Sequence, residues 1–197
     1  MRRIYPPFLV IAFIVSAPHA ARAQTTLGIG VQYLDFGGSD FDATDAGFGV
    51  EGRVMFPAGK SALVGGGIQY SSHNDADFSN NIGVLGILGE GRYQFSTKTG
   101  KVTPYVAGRL GWAKASVSED LDGDGVDDHV KWSGITFGAG GGLLVATGPT
   151  SSFDFGLVLH SVSFGDAAVN GTSISDTKLS GTAFQFRAGM SFKVGGK

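Results

Sequence analysis

The chain contains no cysteine, so disulfides, thiolate metal sites and thiol catalysis are all excluded. After its first two dozen residues it has no long unbroken apolar run, and a helix needs about 20 consecutive apolar residues to cross a bilayer. A bundle of transmembrane helices is therefore excluded. Basic residues are also scarce. With the N-terminal arginines Arg2, Arg3 and Arg22 set aside, 12 of the 15 lysines and arginines stand against 17 aspartates and glutamates, a formal charge of −5. That balance argues against a nucleic-acid partner. Glycine is what the sequence has in excess, 33 residues of 197, where about 7% is usual. The glycines fall inside apolar segments. There they weaken helices and ordinary strands, but they suit curved strands whose backbones crowd a narrow lumen.

Arg2 and Arg3, an apolar run over 8–17 and Ala21-Arg22-Ala23 before Gln24 follow the order of a secretory signal: charge, apolar segment, small-residue cleavage site. Residues 1–23 are expected to be a cleaved signal peptide, leaving 24–197 as one domain. The alternative is an uncleaved anchor, but the apolar run is about half the length that spans a bilayer.

From residue 27 on, apolar residues recur with period two, which is the signature of strands. In the last segment Phe184, Phe186, Ala188, Met190, Phe192 and Val194 alternate with Gln185, Arg187, Gly189, Ser191 and Lys193. Similar alternation places strands at 27–36, 46–56, 61–71, 82–95, 102–117, 130–146, 153–164 and 181–194. The connections between them alternate between long and short. Eight strands joined by short turns on one side and long loops on the other predict an all-β fold, an eight-stranded antiparallel up-and-down transmembrane β-barrel. A soluble lipocalin-like barrel, apolar face inward, is the competing reading. Its exterior would consist mostly of Gly, Ala, Ser and Gln, which solvates poorly. Turned inward, the same small residues fit a narrow lumen, and Glu51, Arg53, Glu90, Arg92, Arg109 and Arg187 can neutralise one another as an interior charge network. Tyr33, Tyr70, Trp112 and Trp132 near the loop ends, and Phe56, Tyr93, Phe95, Phe153, Phe155 and Phe192 near the turn ends, are expected to form two interfacial girdles. Ordinary aromatic enrichment in strands is the alternative.

The segment Thr103-Pro104-Tyr105-Val106-Ala107-Gly108-Arg109-Leu110-Gly111-Trp112 and the final strand resemble the small outer-membrane β-barrel domain family, the OmpA/OmpX-type and opacity-protein-like barrels. Arg187, Gly189, Phe192 and Val194 match the spacing of the assembly signal that such barrels present. The chain departs from many members by continuing to Gly195-Gly196-Lys197 instead of ending on an aromatic residue. The resemblance covers the mature chain. It implies the outer membrane of a Gram-negative bacterium, with membrane lipid, lipopolysaccharide and the barrel assembly machinery as partners, and a monomeric state. It implies no particular activity, since adhesins and structural barrels share the fold.

Four readings of the chemistry follow from the residues. In the third long loop Asp120, Asp122, Asp124 and Asp128 stand at positions 1, 3, 5 and 9 of an EF-hand-like calcium loop, with Gly125 at the sharp turn. Position 12 is Lys131 instead of the usual bidentate Glu, and an acidic hairpin tip is the plainer reading. The four long loops together carry 13 of the 17 acidic residues, giving either a surface that attracts cations or simple solubility. The interior charges form either a plug or a narrow ion-conducting path, and an eight-stranded barrel favours the plug. Finally, His160, Ser161, Asp154 and Asp166 lie near one another in sequence. On a strand, however, His160 and Ser161 face opposite sides, so the chain is not expected to be an enzyme. The combined expectation is a structural or surface-interaction barrel acting through its acidic loops. A narrow transport barrel is the alternative, and a lipid-modifying enzyme ranks third.

Overall fold

The computed structural model describes residues 24–76, 80–97, 100–120, 125 and 128–195. The signal peptide expected over 1–23 lies outside the described residues. Each alternating segment forms a strand: β1 Thr25–Gly37, β2 Gly47–Pro57, β3 Ala62–His73, β4 Ile82–Gln94, β5 Val102–Glu119, β6 Asp128–Ala146 and β7 Ser151–Phe164. Two short strands, β8 Ala168–Val169 and β9 Thr172–Ser173, precede the last long one, β10 Leu179–Val194. The only helical element among the described residues is a 3-10 turn, Ser39–Phe41. Among the described residues no helix is long and apolar enough to cross a membrane.

Every neighbouring pair is antiparallel, and the register runs without a slip from β1–β2 round to β10. The pairing Thr25↔Val194 through Gly37↔Thr182 joins the first long strand to the last and closes the barrel. Closure leaves no ladder edge to be hydrogen-bonded by lipid, which cannot supply partners. The short strands β8 and β9 form a hairpin laid on the loop end of β6 through Val130↔Val169 and Lys131↔Ala168. They extend the wall at that end and do not add a ninth stave.

The period-two pattern decides which face meets lipid. Phe48 is 73% exposed, Leu110 65% and Leu159 64%, and they belong to a belt of large outward apolar side chains around the wall. A soluble monomer seldom exposes so large a continuous apolar surface. Inward positions carry Gln32, Glu51, Arg53, Glu90, Arg92, Arg109, Asp154, His160, Gln185 and Arg187, all buried.

Two findings differ from the sequence expectation. Trp132, expected in the outer girdle, faces inward, where it packs against the buried cluster that includes Val130 and Phe164. Its neighbours on β6 explain why: Val130 is buried and Lys131 is exposed, so the parity of the strand puts Trp132 on the inner face. The interior is also not polar throughout. Toward the loop end it becomes an apolar core of Leu34, Phe41, Ile82, Val84, Ala115, Val117, Val162 and Phe164 among others.

Candidate functional site

Charged residues two apart on one strand point the same way, so β2 presents Glu51 and Arg53 together, and β4 presents Glu90 and Arg92. Register then sets Glu90 directly opposite Arg109 on β5. The curvature of the closed wall brings in Asp154 from β7 and Arg187 from β10.

Three carboxylates act as hubs. Glu51 accepts from Arg53 at 2.8 Å, from Arg109 at 2.9 Å and from Arg187 at 3.3 Å. Glu90 accepts from Arg92 at 2.7 Å, Arg109 at 2.8 Å and Arg187 at 3.1 Å. Asp154 accepts from Arg53 at 2.5 Å, Arg92 at 3.0 Å and the Tyr105 hydroxyl at 2.7 Å. Ser191 adds a longer bond to Asp154 at 3.3 Å. Each arginine touches two hubs, so the network spans the lumen from five strands. Tyr105 braces it: its hydroxyl accepts from Arg187 at 2.9 Å, and the Arg92 guanidinium lies 4.0 Å over its ring. Three carboxylates face four guanidiniums, leaving one excess positive charge among these side chains.

Above the charges, toward the loop end, lies an amide layer. Gln185 accepts from Arg109 at 2.8 Å and donates to Gln69 at 3.2 Å and to Gln32. His160 Nε2 lies 3.0 Å from the same Gln185 oxygen.

Glycine makes room for these long side chains. A Cβ at Gly28 would come within 2.7 Å of Arg53 Nε, and one at Gly156 within 2.5 Å of Arg187 Nε. Both glycines therefore act as pockets in the wall that the guanidinium stems occupy. The excess of glycine seen in the sequence is in part the space the interior network needs.

The other expected residues are placed as follows. Asp120 and Asp128 are described, while Asp122 and Asp124 lie outside the described residues. Asp120 accepts from the Gly125 amide at 2.9 Å, and Asp128 accepts from Asn170 at 2.5 Å. Among the described residues no three acidic or histidine side chains form a metal-binding group. On the last strand, Arg187 is in the interior network and Gly189 packs against β1, where a Cβ would meet the Ile29 carbonyl at 2.2 Å. Phe192 and Val194 face outward.

The residues of the catalytic reading are dispersed. Asp154 serves the ion network, His160 meets Gln185, and Asp166 accepts from the Thr177 amide at 3.4 Å. Sequence reasoning missed two network members, Asp154 and Tyr105, although both occupy the inward parity of their strands. It also missed a pair in which Ser71 Oγ lies 2.9 Å from His73 Nε2 while His73 Nδ1 faces the Asp45 carbonyl at 3.1 Å. Ser71 is only 1% exposed, so no substrate carbonyl has access to it in this geometry.

The closed barrel with its outward apolar belt coincides with a family match. The model of the outer membrane protein beta-barrel domain covers residues 8–194. The chain belongs to that family. As a member of the outer membrane protein beta-barrel family it is a bacterial outer-membrane protein. Three solved structures share the fold. Neisserial surface protein A is 20% identical, with a TM-score of 0.61 over 86% of this chain and 97% of that one. A major outer membrane protein from Thermus thermophilus is 13% identical, with a TM-score of 0.56 over 86% and 99%. OprG from Pseudomonas aeruginosa is 11% identical, with a TM-score of 0.52 over 87% and 96%. No curated protein matches the chain.

Proposed function

We propose that this protein is a non-conducting outer-membrane barrel that serves as a structural scaffold and offers its long acidic loops for contact at the cell surface. The observation that carries the reading is the ion-paired cross-section that blocks the middle of the lumen. Arg53, Arg92 and Arg109 are 7%, 4% and 5% exposed, and each is shared between carboxylates on different strands. A conduit would require these guanidiniums to face a continuous aqueous path, and an eight-stranded interior is only wide enough for side chains to fill. Function then rests on the loops, which the rigid wall holds in place. Their 13 acidic residues favour cationic partners through a negative local field. Catalysis has no part in this proposal.

The test is conductance. Purified barrel in planar bilayers should be silent, and Arg109→Ala should be silent too, because Glu51 and Glu90 each keep two other arginines. Stable, ion-selective steps from the wild-type protein would transfer the reading to a narrow transport barrel.

A further inference from the structure

The apolar half of the interior is not completely filled. A cavity of about 230 Å³ lies at the loop end, lined by Phe36, Phe41, Trp132, Phe164, Ile82 and Ala115 among others. The cavity is partly open on the loop side and mostly apolar in its lining, and an apolar space of about 150 Å³ is large enough to take up benzene. Ala43, on the segment that crosses the mouth, and Ala115, on β5, are among its lining residues, and a larger side chain at either would reduce its volume. The layer of Gln32, Gln69, Gln185 and His160 and the ion network beneath seal it from the turn end.

Its cover is of a different kind from its wall. Residues 38–46 cross the mouth and insert Phe41, which stacks on Phe36 at 5.1 Å. They are fastened by side-chain latches, Asp40 accepting from the Ser180 amide at 2.8 Å and Thr44 donating to Asp75 at 2.5 Å. A few backbone bonds to 74–76 complete the fastening. These bonds are few and separate, whereas the wall is a continuous ladder. Opening the cover would break these bonds and withdraw Phe41 from its packing on Phe36 and Phe164, but it would leave the strand ladder intact.

One edge of the cavity is polar, formed by Asp40, Thr44, His73 and Asp75. Carboxylate oxygens accept several hydrogen bonds at once, so this edge suits a hydroxyl donor and repels an anion.

We propose that this chamber binds a small neutral aromatic molecule bearing one hydroxyl group, of roughly nine non-hydrogen atoms when scaled from benzene in its 150 Å³ void. The ring lies among the aromatic walls, the hydroxyl meets the acidic edge, and the ligand enters and leaves from the loop side. The role is capture or sensing at the surface, with no passage through the barrel.

The chain has two tryptophans, one in the chamber wall and one, Trp112, on the outer face, which makes the test direct. In Trp112→Phe barrel held in detergent, 4-iodophenol should quench Trp132 by contact and saturably. In Trp132→Phe, Trp112 reports only partition into the micelle, with quenching that rises linearly. Ala115→Leu, introduced into Trp112→Phe and confirmed as folded by its heat-dependent gel mobility, should weaken the saturable binding at least fivefold. 4-Iodobenzoate should bind at least tenfold more weakly than the phenol. The proposal is overturned if Trp112→Phe shows only the linear response, if Ala115→Leu saturates at unchanged concentration, or if the anion binds as well as the phenol.

Discussion

Asp154 is the place to perturb the barrel interior. It is 1% exposed and receives Arg53, Arg92, the Tyr105 hydroxyl and Ser191. Truncation to alanine takes the network from three carboxylates against four arginines to two against four, doubling the excess positive charge among buried side chains. Removing one partner of a buried ion pair costs about 3–5 kcal/mol, because the other charge is left uncompensated. Here Arg53 keeps Glu51 and Arg92 keeps Glu90, so the lower end of that range applies, about 3 kcal/mol. With a urea dependence of about 2 kcal/mol per molar, the unfolding midpoint should fall by about 1.5 M. The assay is reversible urea unfolding in lipid vesicles, read by the gel-mobility difference between folded and unfolded barrel. Asp154→Ala combined with Arg92→Met restores the charge balance and should recover at least half of the loss. A midpoint within about 0.5 M of wild type for Asp154→Ala, equivalent to about 1 kcal/mol, would refute the view that these ion pairs hold the interior together.

Other perturbations probe the wall, the packing and the tryptophans. Leu110→Arg places a cation on the lipid face midway along β5 and should destabilise the barrel by about 2–4 kcal/mol, while Val194→Arg at a strand end should cost at most about 1 kcal/mol. Equal effects would count against the membrane orientation. Gly28→Val sets a branched side chain against Arg53 Nε and should cost about 1–3 kcal/mol by overpacking. The same change at Gly108, where a Cβ meets nothing within 4 Å, should be close to neutral in the same urea assay. Brominated lipids should quench Trp112, which is 41% exposed on the outer face, and leave Trp132 bright. Quenching of both would return Trp132 to the girdle.

The strands were legible because most alternate cleanly, and burial on only one face writes itself into a period of two. The final strand is the clearest case: Gln185, Arg187 and Ser191 are buried and their neighbours Phe184, Phe186 and Phe192 face outward. The girdle expectation failed at Trp132 because it rested on position along the strand and not on parity. The neighbouring Lys131 settles the matter, since a lysine on the inner face of that apolar zone would be buried among Val130, Val162 and Phe164. The hairpin of β8 and β9 gave no signal. Two-residue strands in a polar loop are too short for any pattern to show.

Proximity in the chain accounts for two of the pairs that could be read, whereas Arg109 and Arg187, 58 and 136 residues from Glu51, were read from the inward parity of their strands alone. Glu51 with Arg53, and Glu90 with Arg92, are each two residues apart, and a strand aligns such pairs by itself. Asp154 lies 101 residues from Arg53 and 62 from Arg92 in the chain, so nothing local pairs it with either. Charge balance could have found it. Four arginines on inward positions require more than the two glutamates first assigned to them, and Asp154 is the one remaining buried acidic residue among the described residues. The apolar zone is the harder case. On β4 the inward Ile82, Val84 and Leu88 alternate with the outward Leu85 and Ile87, so both faces are hydrophobic and alternation vanishes where the lumen changes character. A two-zone interior of this kind becomes readable only once the barrel is closed, because its cavity is formed between strands and is carried by no single segment of sequence.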